Sequence, residues 1–265
     1  MLRVGRALVF HELLERTRDR WVLVISLVFA ALASAVSLYA RSAEAAAASL
    51  AGPSLVTLVS LVIPLVALVL GHDAVVGERE RNTLGLLLSL PVGTLEVVVA
   101  KFLGRALALA VAVGLGLGAA LAIAPAMERP VLFALIVPTL RLGIAFLSLG
   151  VLVSSVTKRQ ITAASMAVTL WFLFVFFYDL GLLGLLVATD GAISQSTIAG
   201  LVFANPAGLY RIEMMAWFSG PESLKNMGLT VPLPSAALSG GLWTAWCVLP
   251  PLLSGLLLHL EKAKR

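Results

Sequence analysis

The chain has 265 residues, 60% of them hydrophobic and only 12% charged, with a mean hydropathy of +1.03 and a formal net charge of +5. No water-facing globular surface can be built from that composition, so a soluble domain is excluded. Cys247 is the single cysteine and His11, His72 and His259 lie in separate segments, which excludes an intramolecular disulfide and leaves no expected metal site.

Residues 1–20 set Val4, Leu8, Leu13 and Leu14 among Arg and Glu, a pattern for an amphipathic helix lying at the membrane surface. Beyond it the apolar runs are measured against a hydrocarbon layer about 30 Å thick, which takes about 20 helical residues to cross. Six runs qualify, at 21–40, 54–71, 97–124, 131–154, 161–188 and 236–260. None alternates with the period of two that a barrel strand requires, so each is a helix. The first is no cleavable signal, because it follows twenty mostly polar residues and precedes five more spans. The expected fold is therefore all-α integral membrane, one transmembrane domain over 1–265 with six spans. Small residues in the first and third spans, Ala30, Ala31, Ala33, Ser34 and Ala35, then Gly114, Gly116 and Gly118, predict close helix approach.

Between the second and third spans, residues 72–96 carry Glu78, Arg79, Glu80 and Arg81 and then Leu84, Leu86, Leu87, Leu88 and Leu90 before Pro91. This predicts one amphipathic helix stopped by proline, its charges facing water or a partner. The plainer alternative is a solvated loop whose charges only set topology. His72 and Asp73 adjoin, but neighbours on a helix point in different directions, so they mark a helix end rather than a proton relay.

The order of Asp73, then Gly77-Glu78-Arg79-Glu80, Asn82-Thr83-Leu84, Leu86-Leu87-Leu88, Pro91-Val92 and Lys101 resembles the signature of ABC-2 type permeases. The resemblance implies that this cytoplasmic segment couples to a nucleotide-binding subunit through Asp73, Gly77, Glu78, Arg79, Glu80, Arg81, Thr83, Leu84 and Pro91. The chain has no Gly-x-x-x-x-Gly-Lys-Ser/Thr loop to cradle phosphates, so ATP and Mg are expected on a separate ATPase subunit, and this chain is expected to be no enzyme.

In the fourth and fifth spans Arg141 and Asp179 lie ten and nine residues from the outer ends, about 15 Å deep at 1.5 Å per residue. Each alone costs on the order of 3 kcal/mol at that depth, which predicts an intramembrane ion pair, either a static packing device or a substrate or gating site. From Asp190 to Ser235 the apolar residues Ile198, Leu201, Val202, Leu209, Ile212, Met215 and Trp217 recur at helical spacing around Asn205-Pro206. They predict two short amphipathic helices on the outer face of a periplasmic segment, 190–235, with Met214 and Met215 as apolar anchors rather than metal ligands.

The run WFLFVFFYDLGLLGLLVATDG followed by ANPAGLYR resembles, within that family, the NosY-type membrane subunits of the transporter that matures nitrous oxide reductase. Gly208 departs from the pattern, where a polar residue is expected. The resemblance implies a homodimer, a cytoplasmic ATPase dimer below it and a periplasmic NosD-like partner above it, met through Asn205, Pro206, Tyr210 and Arg211. It further implies that ATP-driven motion or a sulfur species serves assembly of a copper-sulfur site.

Lys and Arg gather at one set of helix ends, from Arg3 and Arg16 through Arg79, Lys101 and Lys158 to Lys262, whereas the other set holds Arg41, Arg129, Arg211 and Lys225. That bias predicts cytoplasmic termini in a bacterial inner membrane and needs lipid, not nucleic acid, as its counterpart. Competing functions are an ABC-2 exporter of lipid, polysaccharide or drug, an intramembrane hydrolase and an ATP-independent carrier. The hydrolase lacks a histidine level with Ser148, Ser154, Ser155 or Ser165, and the carrier lacks a visible internal repeat.

Overall fold

The computed structural model describes residues 2–17, 51–89, 91–124, 126, 129–226 and 233–263, together with 27, 30, 31 and 34. The first apolar run, 21–40, thus lies largely outside the described residues. Among the described residues all regular structure is helical. Five helices are long and apolar enough to cross a membrane, where the second to sixth apolar runs stand: α2 (Ala51–Gly71), α5 (Thr94–Ile123), α6 (Arg129–Val156), α7 (Gln160–Ala188) and α10 (Ala236–Ala263). Between them come α1 (Leu2–Thr17), α3 (Val76–Glu80), α4 (Leu84–Ser89), α8 (Gln195–Ala204) and α9 (Pro206–Asn226).

Chain direction puts α1, α3, α4 and the end of α10 at one end of the bundle, here the terminal end. The start of α2, the end of α7 and the start of α10 lie at the opposite end.

In lipid no hydrophobic force pulls apolar helices together, so packing rests on close approach and on polar contacts. A backbone-to-backbone approach joins α2 to α6 at Gly71 and Gly150. A Cβ on Gly71 would stand 2.9 Å from Gly150 Cα, and one on Gly150 would stand 3.0 Å from Gly71 Cα. Gly104 does the same for α1 on α5, where a Cβ would meet Glu12 Cβ at 2.6 Å. The glycines expected to pack, Gly114 and Gly118, meet nothing within 4 Å among the described residues, while Gly116 is buried. Midway along α5 the close approach comes instead from α6, where a Cβ on Gly143 would stand 2.7 Å from a Leu109 methyl carbon.

Helix breakers are tolerated because the carbonyls they free find donors. Pro250 offers no N–H to Trp246 O one turn back, and Ser148 Oγ of α6 donates to that oxygen at 2.6 Å. In α7 the chain widens to a π-helix over Leu173–Phe177, and Asn205 Nδ2 donates to Phe174 O within it at 2.7 Å.

The segment 72–96 is not one helix. It breaks into α3 and α4 at Arg81 and Asn82, the latter left-handed with φ 56°, a conformation asparagine accepts readily.

The segment after α7 also differs from expectation, because α8 and α9 do not lie flat on an outer face. Asn205 at their junction bonds Phe174 O, and Trp246 Nε1 donates to Ala204 O at 3.2 Å. Phe174 is fourteen residues from the end of α7 and Trp246 ten from the start of α10, which sets the junction about 15–21 Å below the opposite end. From there α9 climbs back until Phe218 packs on Gly52 at the start of α2. The pair is a re-entrant hairpin, and Gly208 explains itself: a Cβ there would stand 2.6 Å from Val202 O across the hairpin.

Candidate functional site

At the terminal end two surface-seeking elements, α1 and the 72–83 segment, are held to the bundle by buried charges. Arg105, 1% exposed, sits three turns into α5. Its Nε donates to Glu12 Oε1 at 2.7 Å, and its Nη1 donates to Asp73 Oδ1 and to Leu70 O. One turn earlier Lys101 Nζ reaches Glu12 Oε2 at 3.0 Å and Glu78 Oε1 at 2.8 Å. Arg16 closes the cluster onto Asp73 at 2.9 Å and onto Glu12 at 3.5 Å.

Three cations thus face three carboxylates, and the cluster carries no net charge. Taking an ion out of water costs several kcal/mol, which is recovered only when every partner is present. Burial pushes the Glu12 carboxyl upward, but Arg105, Lys101 and Arg16 outweigh it and hold Glu12 below its ordinary value.

The four charged residues that open the loop each tie to a different helix. Glu78 pairs with Lys101 of α5, and it also accepts from Thr83 Oγ1, which fastens the turn beyond it. Arg79 donates to the carbonyls of Ser155 and Thr157 at the end of α6 and to Glu261 at the end of α10. Glu80 Oε1 accepts from Gln160 N at 2.7 Å, which satisfies a free donor at the start of α7. Arg81 reaches Glu15 of α1 at 3.3 Å.

Below them Ser154 Oγ of α6 accepts from Val75 N and Val76 N at 2.8 and 3.0 Å. Lys262 Nζ of α10 donates to Leu88 O at 2.8 Å. The segment 73–89 is therefore a hub joined to α1, α5, α6, α7 and α10.

Its outward face is distinct from its fastenings. Glu80, Arg81, Leu86 and Pro91 are exposed, Leu86 to 70%, while Asp73, Gly77 and Leu84 are buried and face inward. A cavity of about 380 Å³ opens beside Leu86, walled by Leu8, Leu87 and Val97, with Glu12, Glu78 and Lys101 on its polar side. A hydrophobic knob from another protein would fit against such a wall, and a push on α4 would be felt by every helix the hub holds.

The family model described as ABC-2 family transporter protein matches residues 6–260. The chain belongs to the ABC-2 transporter family. A Pseudomonas aeruginosa protein named "Probable ABC transporter permease protein NosY" is 36% identical over 246 residues, covering 88% of this chain and 89% of that protein. A Stutzerimonas stutzeri protein of the same name is 37% identical over 242 residues, covering 86% and 88%. No described cluster of His, Cys, Asp or Glu has the makings of a metal site.

Within this ABC-2 chain the expected Arg141–Asp179 pair is replaced by another. Asp179 binds Arg211 at 2.6 Å, both half-exposed, because the hairpin carries Arg211 down to its depth. Among the described residues no carboxylate pairs with Arg141, which is exposed.

The residues expected to meet a periplasmic partner are likewise occupied inside the chain. Asn205, Pro206 and Tyr210 are buried, Asn205 holding Phe174 O and its own turn, so they are corrected from contact residues to hairpin anchors. Sequence reasoning counted Arg16 and Lys101 as topology charges and missed Glu12. The legible signal was spacing: Glu12 and Arg16, like Lys101 and Arg105, stand one helical turn apart, and the second pair interrupts an apolar run.

Proposed function

We propose that this chain is the membrane-spanning permease subunit of a NosY-type ABC transporter, present as a homodimer in a bacterial inner membrane with both termini cytoplasmic. A separate cytoplasmic ATPase dimer, carrying ATP and Mg, docks on the exposed face of the hub around Leu86. A NosD-like periplasmic protein docks at the opposite end. ATP hydrolysis drives α4, the hub passes the displacement to five helices at once, and the periplasmic side receives motion or a sulfur species for the copper-sulfur site of nitrous oxide reductase.

The observation that carries this reading is the hub itself: Glu78, Arg79, Glu80 and Arg81 reach five helices while Leu86 stays exposed. A solvated loop that merely set topology would have no reason to fasten every charge. The similarity to the NosY proteins over most of the chain supports the narrower assignment.

The test is affinity purification of the chain from its native membrane, with mass spectrometry of the co-purifying proteins and an ATPase assay. A soluble ATPase with a periplasmic repeat protein is expected. An ATPase alone favours an exporter of lipid, polysaccharide or drug, and absence of any ATPase overturns the reading.

A further inference from the structure

Arg141 sits at the middle of α6, twelve residues from one end and fifteen from the other, about 18 and 22 Å from the two ends. Contacts fix the same level independently, since Cys247 Sγ of α10 lies 4.0 Å from Arg141 O, and Cys247 is itself eleven residues into its span. At that depth a charged side chain is too far from either surface to reach water along its own stem, and an arginine facing hydrocarbon costs on the order of 3 kcal/mol.

Among the described residues the ordinary remedy, a carboxylate, does not pair with Arg141. Of the described acidic residues, Asp179 lies nearest this depth, and it is taken by Arg211. Glu213, nearer the opposite end, already accepts from Ser239 Oγ and from Trp243 Nε1 at 3.1 Å. The run 21–40 contains no Asp or Glu.

We infer that Arg141 is an intramembrane anion site, the point at which a small, weakly hydrated anion is held during passage. A guanidinium without a counter-charge presents five donors to such a guest. The guest is weakly hydrated because stripping water from an ion at this depth is the dominant cost. Arg141 is exposed on the surface of the chain rather than packed into the helix core, so its guanidinium is open to a guest. Cargo passage is taken from the permease reading, while the anion site is a property of this chain alone.

Cys247 provides the measurement, being the one cysteine in the chain, partly exposed, and level with Arg141. The full-length chain is reconstituted in phospholipid nanodiscs and modified with anionic sulfonatoethyl or cationic trimethylammonioethyl methanethiosulfonate. The anionic reagent should react about tenfold faster, as expected where one sign of charge raises local counter-ion concentration. Arg141→Gln should erase that preference and Arg141→Lys should keep it. Thiocyanate, against chloride at equal ionic strength, should slow a neutral thiol reagent in the wild type and not in Arg141→Gln.

A cysteine inert to both charged reagents, or a preference that survives Arg141→Gln, overturns the site. If Arg141→Gln does not fold, the wild-type arm alone decides, since absence of protection by thiocyanate overturns it equally. These outcomes leave recovery of an ATPase untouched, so failure here and failure of the permease reading are told apart.

Discussion

Glu12 accepts from two buried cations on α5 and neighbours a third on its own helix, so its loss strands more charge than any other single change at the terminal end. Glu12→Ala should destabilise the chain by about 3 kcal/mol or more, the cost of leaving a buried ion uncompensated, read as a lowered thermal midpoint in detergent. Glu15→Ala, which removes the exposed pair with Arg81, should stay within about 0.5 kcal/mol. The acid limb follows from the same carboxyl. Its folded value lies below the ordinary 4.5, so its contribution is complete above that pH and is lost as pH falls through the folded value. Glu12→Gln should accordingly lose less stability than the wild type on acidification below pH 4.5, although it starts lower. At mid-membrane, a double-mutant cycle of Asp179→Asn with Arg211→Gln should show coupling of about 1 kcal/mol, and the same cycle with Arg141→Gln should be additive within about 0.5 kcal/mol. Equal depth alone led the sequence to the wrong partner for Asp179. Depth along two helices is countable in a sequence, but which faces meet is not, and Arg211 belonged to a segment that read as external.

The long helices were legible because their runs of apolar residues leave no other element able to satisfy its own backbone in hydrocarbon. The break at Asn205-Pro206 was legible too, but its depth was not, since the hairpin is as apolar as a surface-seeking pair and only the Phe174 and Trp246 contacts draw it inward. Gly208→Val should abolish the hairpin, because the added carbons have no space beside Val202 O. Gly114→Ala, with nothing within 4 Å among the described residues, should leave the folded yield unchanged. Folded yield by detergent gel filtration compares the two, and equal yields would remove the close approach as the reason for Gly208. The division of 72–96 escaped the sequence for a different reason. The charges of 78–81 and the leucines of 84–90 read as one amphipathic helix, and one left-handed residue between them, Asn82, is enough to end it.

At the scale of the whole molecule, fastening and docking are carried by different side chains. Leu86→Glu should therefore abolish recovery of the ATPase while the chain keeps its thermal midpoint, because Leu86 is exposed and holds no other helix. A drop in the midpoint would mean that α4 belongs to the fastening. The partners of the hub lie far away in sequence, Arg79 and Glu261 being 182 residues apart, which is why the charges were visible and their destinations were not. The Gly71–Gly150 crossing gives this arrangement a mechanical sense. Two backbones in contact, with no side chains between them, form a fulcrum that permits tilting and resists sliding. The load arm of α2 runs the twenty residues from Gly71 to Ala51, about 30 Å, and the effort arm of nine residues to the end of α3 is a little under half of that. A nudge at the hub is thereby geared up about twofold where α2 meets Phe218 of the hairpin.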